Sequence, residues 1–176
     1  MRPPSLIKPR DEFYSGDPAF KPSPVAPELA SNADDDAKDV YKAAVAEYVK
    51  AVEERERLVN LARETGDWSA LRIEGKTPVK FVMRPLKSRQ FNRIADMIIA
   101  REVGAVTAKE IAFGAALAEV AGIGDAKITY DDHPRLGRIA TPDFLDEVWP
   151  TGLVVSAVAE LGELVLERAR DIAPKS

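Results

Sequence analysis

Residues 71–98 read LRIEGKTPVKFVMRPLKSRQFNRIADMI, and this stretch decides the fold class. Val79, Phe81 and Met83 alternate with Lys80 and Arg84, the period of a half-buried strand. Leu71 to Ile73 forms a shorter apolar run, and Gly75 lies between the two, so the segment predicts strand, turn, strand. Pro78 and Pro85 bracket the second strand, which predicts an edge position, because proline cannot donate to a ladder. After Ser88 the period changes to that of a helix: Ser88 is placed to cap it, and Phe91, Ile94, Ala95 and Ile98 form its stripe.

Upstream lies a long periodic segment from about Asp35 to Glu64. Tyr41, Val45, Tyr48, Val52, Arg55, Val59 and Ala62 recur at spacings of four and three, while Lys50, Glu53, Glu54, Glu56, Arg57 and Arg63 lie off the stripe. This predicts a charged helix with one narrow packing face. Asp34, Asp35 and Asp36 suit its N-terminus and Gly66 its C-cap. Such a stripe is too weak to hold a free helix in water, so the face near Val59 is expected to pack on the body and the face near Tyr41 and Tyr48 on a partner.

Seven of the thirteen prolines fall in the first 27 residues. Proline fixes φ and removes a donor, so residues 1–33 are expected to form an extended arm whose Leu6, Ile7, Phe13, Tyr14 and Phe20 dock on a neighbouring surface. Downstream, Thr107 and Glu110 have capping-box spacing before Ile111, Leu117, Val120 and Ala121, a helix expected to end at Gly122 and Gly124. A polar connection follows, with a short strand at Ile128 to Tyr130. Thr141-Pro142 opens a short helix, and Thr151 opens the last one, with Val154, Val158, Leu161, Val165 and Ala169 on its face. Gly114 and Gly162 sit inside helical patterns, where glycine costs roughly 1 kcal/mol relative to alanine, so close approach by another backbone is expected.

The reading is α+β and α-rich, with an extended N-terminal arm (1–33), one long charged helix (34–65), and a body (66–176) of a small β-hairpin and three to four helices. Zero cysteines exclude disulfides, thiolate metal sites and thiol nucleophiles. No apolar run reaches the roughly 20 residues of a membrane span, and MRPPSLIKPRDEF has no signal-peptide apolar region, so synthesis in the cytoplasm is expected.

The net charge of −4 is segmented: residues 71–101 carry 8 basic and 2 acidic side chains, whereas residues 1–70 carry 10 and 14 and residues 102–176 carry 7 and 13. A positive middle with negative flanks can pair with copies of itself. The basic run is Lys76, Lys80, Arg84, Lys87, Arg89 and Arg93, with Phe91 nearby. An acidic protein surface is its first expected partner and nucleic acid the second.

Asp131, Asp132 and His133 are the one cluster whose residue types suit a metal or acid–base chemistry, yet DDHP also reads as a polar turn before Pro134. The G-x-G of AGIGD (121–125) follows a helix, whereas a dinucleotide loop follows a strand. Glu160 and Glu163 have no histidine partner at helical spacing, and there is no G-x-S-x-G. No catalytic residue, cofactor or metal is therefore expected.

The order FYSGDPAF (13–20), RETGDWSALRI (63–73), TPVKFVMRPLKSRQ (77–90), AELGELVLERA (159–169) resembles small structural or assembly proteins of tailed bacteriophages, in which a strand ending in R-P-L precedes a helical body. The resemblance spans roughly residues 60–170. It implies a non-enzymatic virion protein that docks on repeated larger head, neck or tail subunits, or escorts one during assembly.

Overall fold

The computed structural model describes residues 8–29 and 34–172. It is α+β and about half helical, and it divides into two compact units, Pro18–Lys76 and the remainder, Met1–Asp17 with Thr77–Ser176. The arm therefore does not form a unit of its own. The boundary falls inside it, between Asp17 and Pro18.

The larger unit is built on a three-stranded antiparallel sheet of order β1-β2-β3, with β1 Arg10–Phe13, β2 Lys80–Met83 and β3 Leu117–Ala121. The strand that the sequence predicts at 79–84 exists, but at the centre of the sheet and not at its edge. Pro78 and Pro85 lie outside the ladder, so neither removes a hydrogen bond from it. Its partners also differ from the expected Leu71 to Ile73: Phe81 pairs with Glu12 on one side and Val120 on the other.

Helix α2, Ser88–Ile99, follows β2. Its N-cap is Lys87 and not Ser88, and Gln90 Oε1 accepts the Lys87 backbone N–H at 3.1 Å. Ile94 and Met97 are its buried residues, while Ile98 faces solvent. Helix α3, Ala105–Ala116, starts at the N-cap Gly104, which puts Thr107 inside the first turn and leaves the Thr107/Glu110 spacing without a capping role. It ends six residues before Gly122, because Leu117 turns to extended backbone and opens β3.

A second sheet, the hairpin β4 (Thr129–His133) and β5 (Gly137–Thr141), occupies the expected polar connection; β4 overlaps the strand expected at Ile128 to Tyr130, runs three residues past it, and gains in β5 a partner that the sequence does not predict. A 3-10 helix at Pro142–Glu147 leads to α4, Thr151–Ile172.

The core of this unit lies where α3 and α4 meet β2. Phe81, Phe113, Phe144, Ile94, Leu145 and Leu161 are its largest fully buried side chains. The Phe81 ring meets Phe113 edge-on at 6.0 Å and lies 6.1 Å from Trp149, which Tyr14 contacts at 5.8 Å. Fully burying one such ring contributes about 2–3 kcal/mol. Both mid-helix glycines stand at close backbone contacts: a Cβ on Gly114 would lie 2.1 Å from Ala140 O, and one on Gly162 2.1 Å from Lys109 O. Gly162 thus lets α3 and α4 approach, and Gly114 lets β5 approach α3.

The smaller unit contains helix α1, Asp35–Thr65, with Asp34 as N-cap and Gly66 as left-handed C-cap, as its sequence predicts. Its buried residues, Val59 and Ala62, lie at the C-terminal end. There Phe20 stacks on Trp68 at 5.1 Å, and Ala19 to Lys21 runs against Leu71 to Ile73, joined by Lys21 N–H to Leu71 O and Ile73 N–H to Ala19 O, each 2.8 Å. Pro18 and Pro22 close off this ladder at one bridge, so Leu71–Ile73 does not form a strand.

Candidate functional site

The structure gives the arm's residues separate fates. Leu6 and Ile7 lie outside the described residues. Arg10 to Phe13 is strand β1, and the turn after it is tied into the larger unit by polar contacts. Glu12, 3% exposed, pairs with Arg168 of α4. Ser15 donates from its backbone N–H and its hydroxyl to Glu160, at 2.8 and 2.6 Å, and buried Asp17 accepts the Val79 N–H at 2.8 Å. Tyr14 and Phe20 are buried within the chain itself, so they cannot staple a neighbour; Phe13 is half-buried. An alternating run with a charge that finds its partner on a distant helix folds into its own sheet, which the proline count obscures.

Tyr41 and Tyr48 are half-buried on α1, and residues 35–58 of that helix include no buried side chain. Val40 is 71% exposed and Val49 45%. This is an extended helical surface with apolar positions open to solvent.

The basic run is dispersed by the fold. Lys76 belongs to the smaller unit and donates to Pro18 O at 3.2 Å. Lys80 pairs with Asp11 at 3.2 Å, and Arg93 donates to Arg135 O. Arg89 is exposed on the first turn of α2. Arg84 and Lys87 remain together, at the exit of β2 and the start of α2, and Arg138 of β5 joins them around one cavity. The Arg84 N–H to Ala116 O bond, 2.7 Å, fixes that exit against the end of α3. The Gly114–Ala140 contact brings the hairpin to the same place.

Sequence reasoning misses Arg138 and Tyr130, whose ring centroid lies 4.5 Å below the Arg138 guanidinium. Their signal is the alternation of TYDDH and GRIAT around a turn, which puts Tyr130, Asp132, Arg138 and Ala140 on one face of a hairpin.

Asp131, Asp132 and His133 lie on β4. Asp131 and Asp132 are exposed, and His133 Nδ1 accepts the Arg135 N–H at 3.2 Å. Among the described residues no three His, Cys, Asp or Glu side chains are grouped to hold a metal. No described helix is long and apolar enough to cross a membrane. No family model matches this sequence, and no curated protein or solved structure matches it either.

Proposed function

We propose that this chain is a non-catalytic structural or assembly protein that docks on a larger, repeated protein subunit through the N-terminal part of α1. The resemblance to tailed-phage proteins makes a virion, in its head, neck or tail, the setting for that subunit. One observation carries the reading. Residues 35–58 form about 36 Å of helix, at 1.5 Å per residue, without a single buried side chain. A helix of mixed charge draws most of its stability from tertiary packing, so a surface of this length is built to be covered.

The covering partner meets Tyr41 and Tyr48, two turns apart on one face of the helix, and the exposed Val40 and Val49 flank that face on opposite sides. Replacing Tyr41 and Tyr48 together by aspartate leaves the monomer's stability within about 1 kcal/mol, since neither side chain is buried within the chain itself. It reduces incorporation into the native assembly by at least about tenfold, because two charges are desolvated at the interface. Incorporation at the wild-type level, measured by quantifying the chain in purified particles, overturns the reading. A dimer of the isolated protein that the same change dissociates in sedimentation overturns it in favour of a second copy as the occupant.

A further inference from the structure

Arg84, Lys87 and Arg138 line one cavity of about 290 Å3 together with Gln90 and Tyr130, and among the described residues no carboxylate takes part in its lining. Four other cations of the same unit are paired, Lys80 with Asp11, Lys109 with Glu163, Arg135 with Glu102 and Arg168 with Glu12, and what distinguishes Arg84, Lys87 and Arg138 from scattered exposed cations such as Arg89 is that they share one concave surface. Asp132 stands across the hairpin from Arg138, on the same face, yet the two form no ion pair. Like charges held around one concave surface repel each other, and a multivalent anion relieves that repulsion. Two of the three are arginines, whose planar forks match phosphate oxygens.

Two further features narrow the anion's identity. Tyr130 is 43% exposed and carries the Arg138 guanidinium over its ring, which makes a planar surface of the kind on which an unstacked base rests. Arg84 also borders the adjoining cavity of about 230 Å3, with Lys8 and Arg10 beside it and the Asp171 carboxylate in its lining. The positive edge thus extends past the first cavity, as a backbone of successive phosphates requires and a lone phosphate does not.

We propose that the Arg84–Lys87–Arg138 cavity binds the phosphate backbone of a single-stranded nucleic acid, with a base stacked at Tyr130. This site stands on observations separate from the α1 surface and holds or fails independently of it.

The test is fluorescence anisotropy with labelled single-stranded DNA and RNA of about 12 nucleotides, a length spanning one small binding groove. The full chain is compared with Arg84→Gln/Arg138→Gln, with Tyr130→Leu, and with Arg89→Gln/Arg101→Gln as the exposed control. Between about 50 and 200 mM salt, wild-type affinity falls steeply, and the Arg84/Arg138 variant shows a salt slope smaller by about 1.4, roughly 0.7 for each phosphate no longer neutralised. Its affinity at low salt drops on the order of tenfold or more. Tyr130→Leu weakens binding about fivefold or more, which a purely electrostatic site would not show. The proposal is overturned if the control variant is weakened as much as the site variant. It is equally overturned if duplex binds as tightly as single strand, if inorganic phosphate displaces the strand at matched phosphate concentration, or if polyglutamate competes as well as the strand does.

Discussion

Gly114 and Gly162 are the residues on which the packing of the larger unit turns. Each lacks a Cβ where one would stand 2.1 Å from a backbone oxygen, of Ala140 and Lys109 respectively. A backbone atom cannot swing aside as a side-chain end can, so an added methyl must push whole elements apart. Gly162→Ala and Gly114→Ala are each expected to destabilise the unit by about 2–3 kcal/mol or more, read as a lower urea midpoint with an unchanged slope. A loss under about 0.5 kcal/mol in both would mean that the contacts are not tight. These two positions were legible in the sequence, because glycine inside a helical pattern needs a packing reason. Arg138 and Tyr130 were not, since each is an ordinary surface residue until a hairpin register sets it beside Arg84.

At the scale of elements, strand β1 matters most, because it converts a segment that looks like a free arm into part of the sheet. Its polar ties are specific: Asp17 satisfies the buried Val79 N–H, Glu12 meets Arg168, and Ser15 holds Glu160. Asp17→Ala leaves the Val79 donor without this acceptor in a buried setting, at a cost of about 1–3 kcal/mol. Thermal unfolding of that variant is expected at a lower midpoint than that of Asp11→Ala, whose exposed pair with Lys80 contributes about 0–1 kcal/mol. Equal midpoints would show that β1 is not held through Asp17. The helices α1, α2 and α4 follow from periodicity, and α1 from its caps as well. The end of α3 does not, because AALAEVA suits helix and strand alike and only pairing with β2 selects the strand from Leu117 onward.

For the whole molecule, the division into two compact units puts the long helix in one and the main core in the other. Protection against hydrogen exchange should differ accordingly. Amides of α4 around Ala157, Leu161 and Val165, all buried, are expected to exchange only through global opening of their unit. Those of residues 39–52, on a helix stretch with no buried side chain, are expected to exchange at least about a hundredfold faster in the isolated protein. Docking through α1, as proposed, would slow them. Equal protection in the two regions would remove the argument that α1 is an uncovered surface.

The sequence alone determined the α+β class, the span and caps of α1, the existence of a strand at residues 80–83 and the close-approach glycines. All of these rest on local periodicity, local hydrogen bonding or the absence of a side chain, quantities that a linear string carries. The tertiary structure decided which segments pair: β1 with β2, Leu117–Ala121 with the other edge of β2, Phe20 with Arg72. It also decided which cations stay together, giving Lys80 and Arg93 partners of their own, leaving Arg84 and Lys87 side by side, and adding Arg138 from fifty-one residues beyond Lys87. Strand partnership and charge neutralisation depend on contacts between positions far apart in the chain, and the closure of those loops, together with the burial it brings, is a property of the folded chain as a whole.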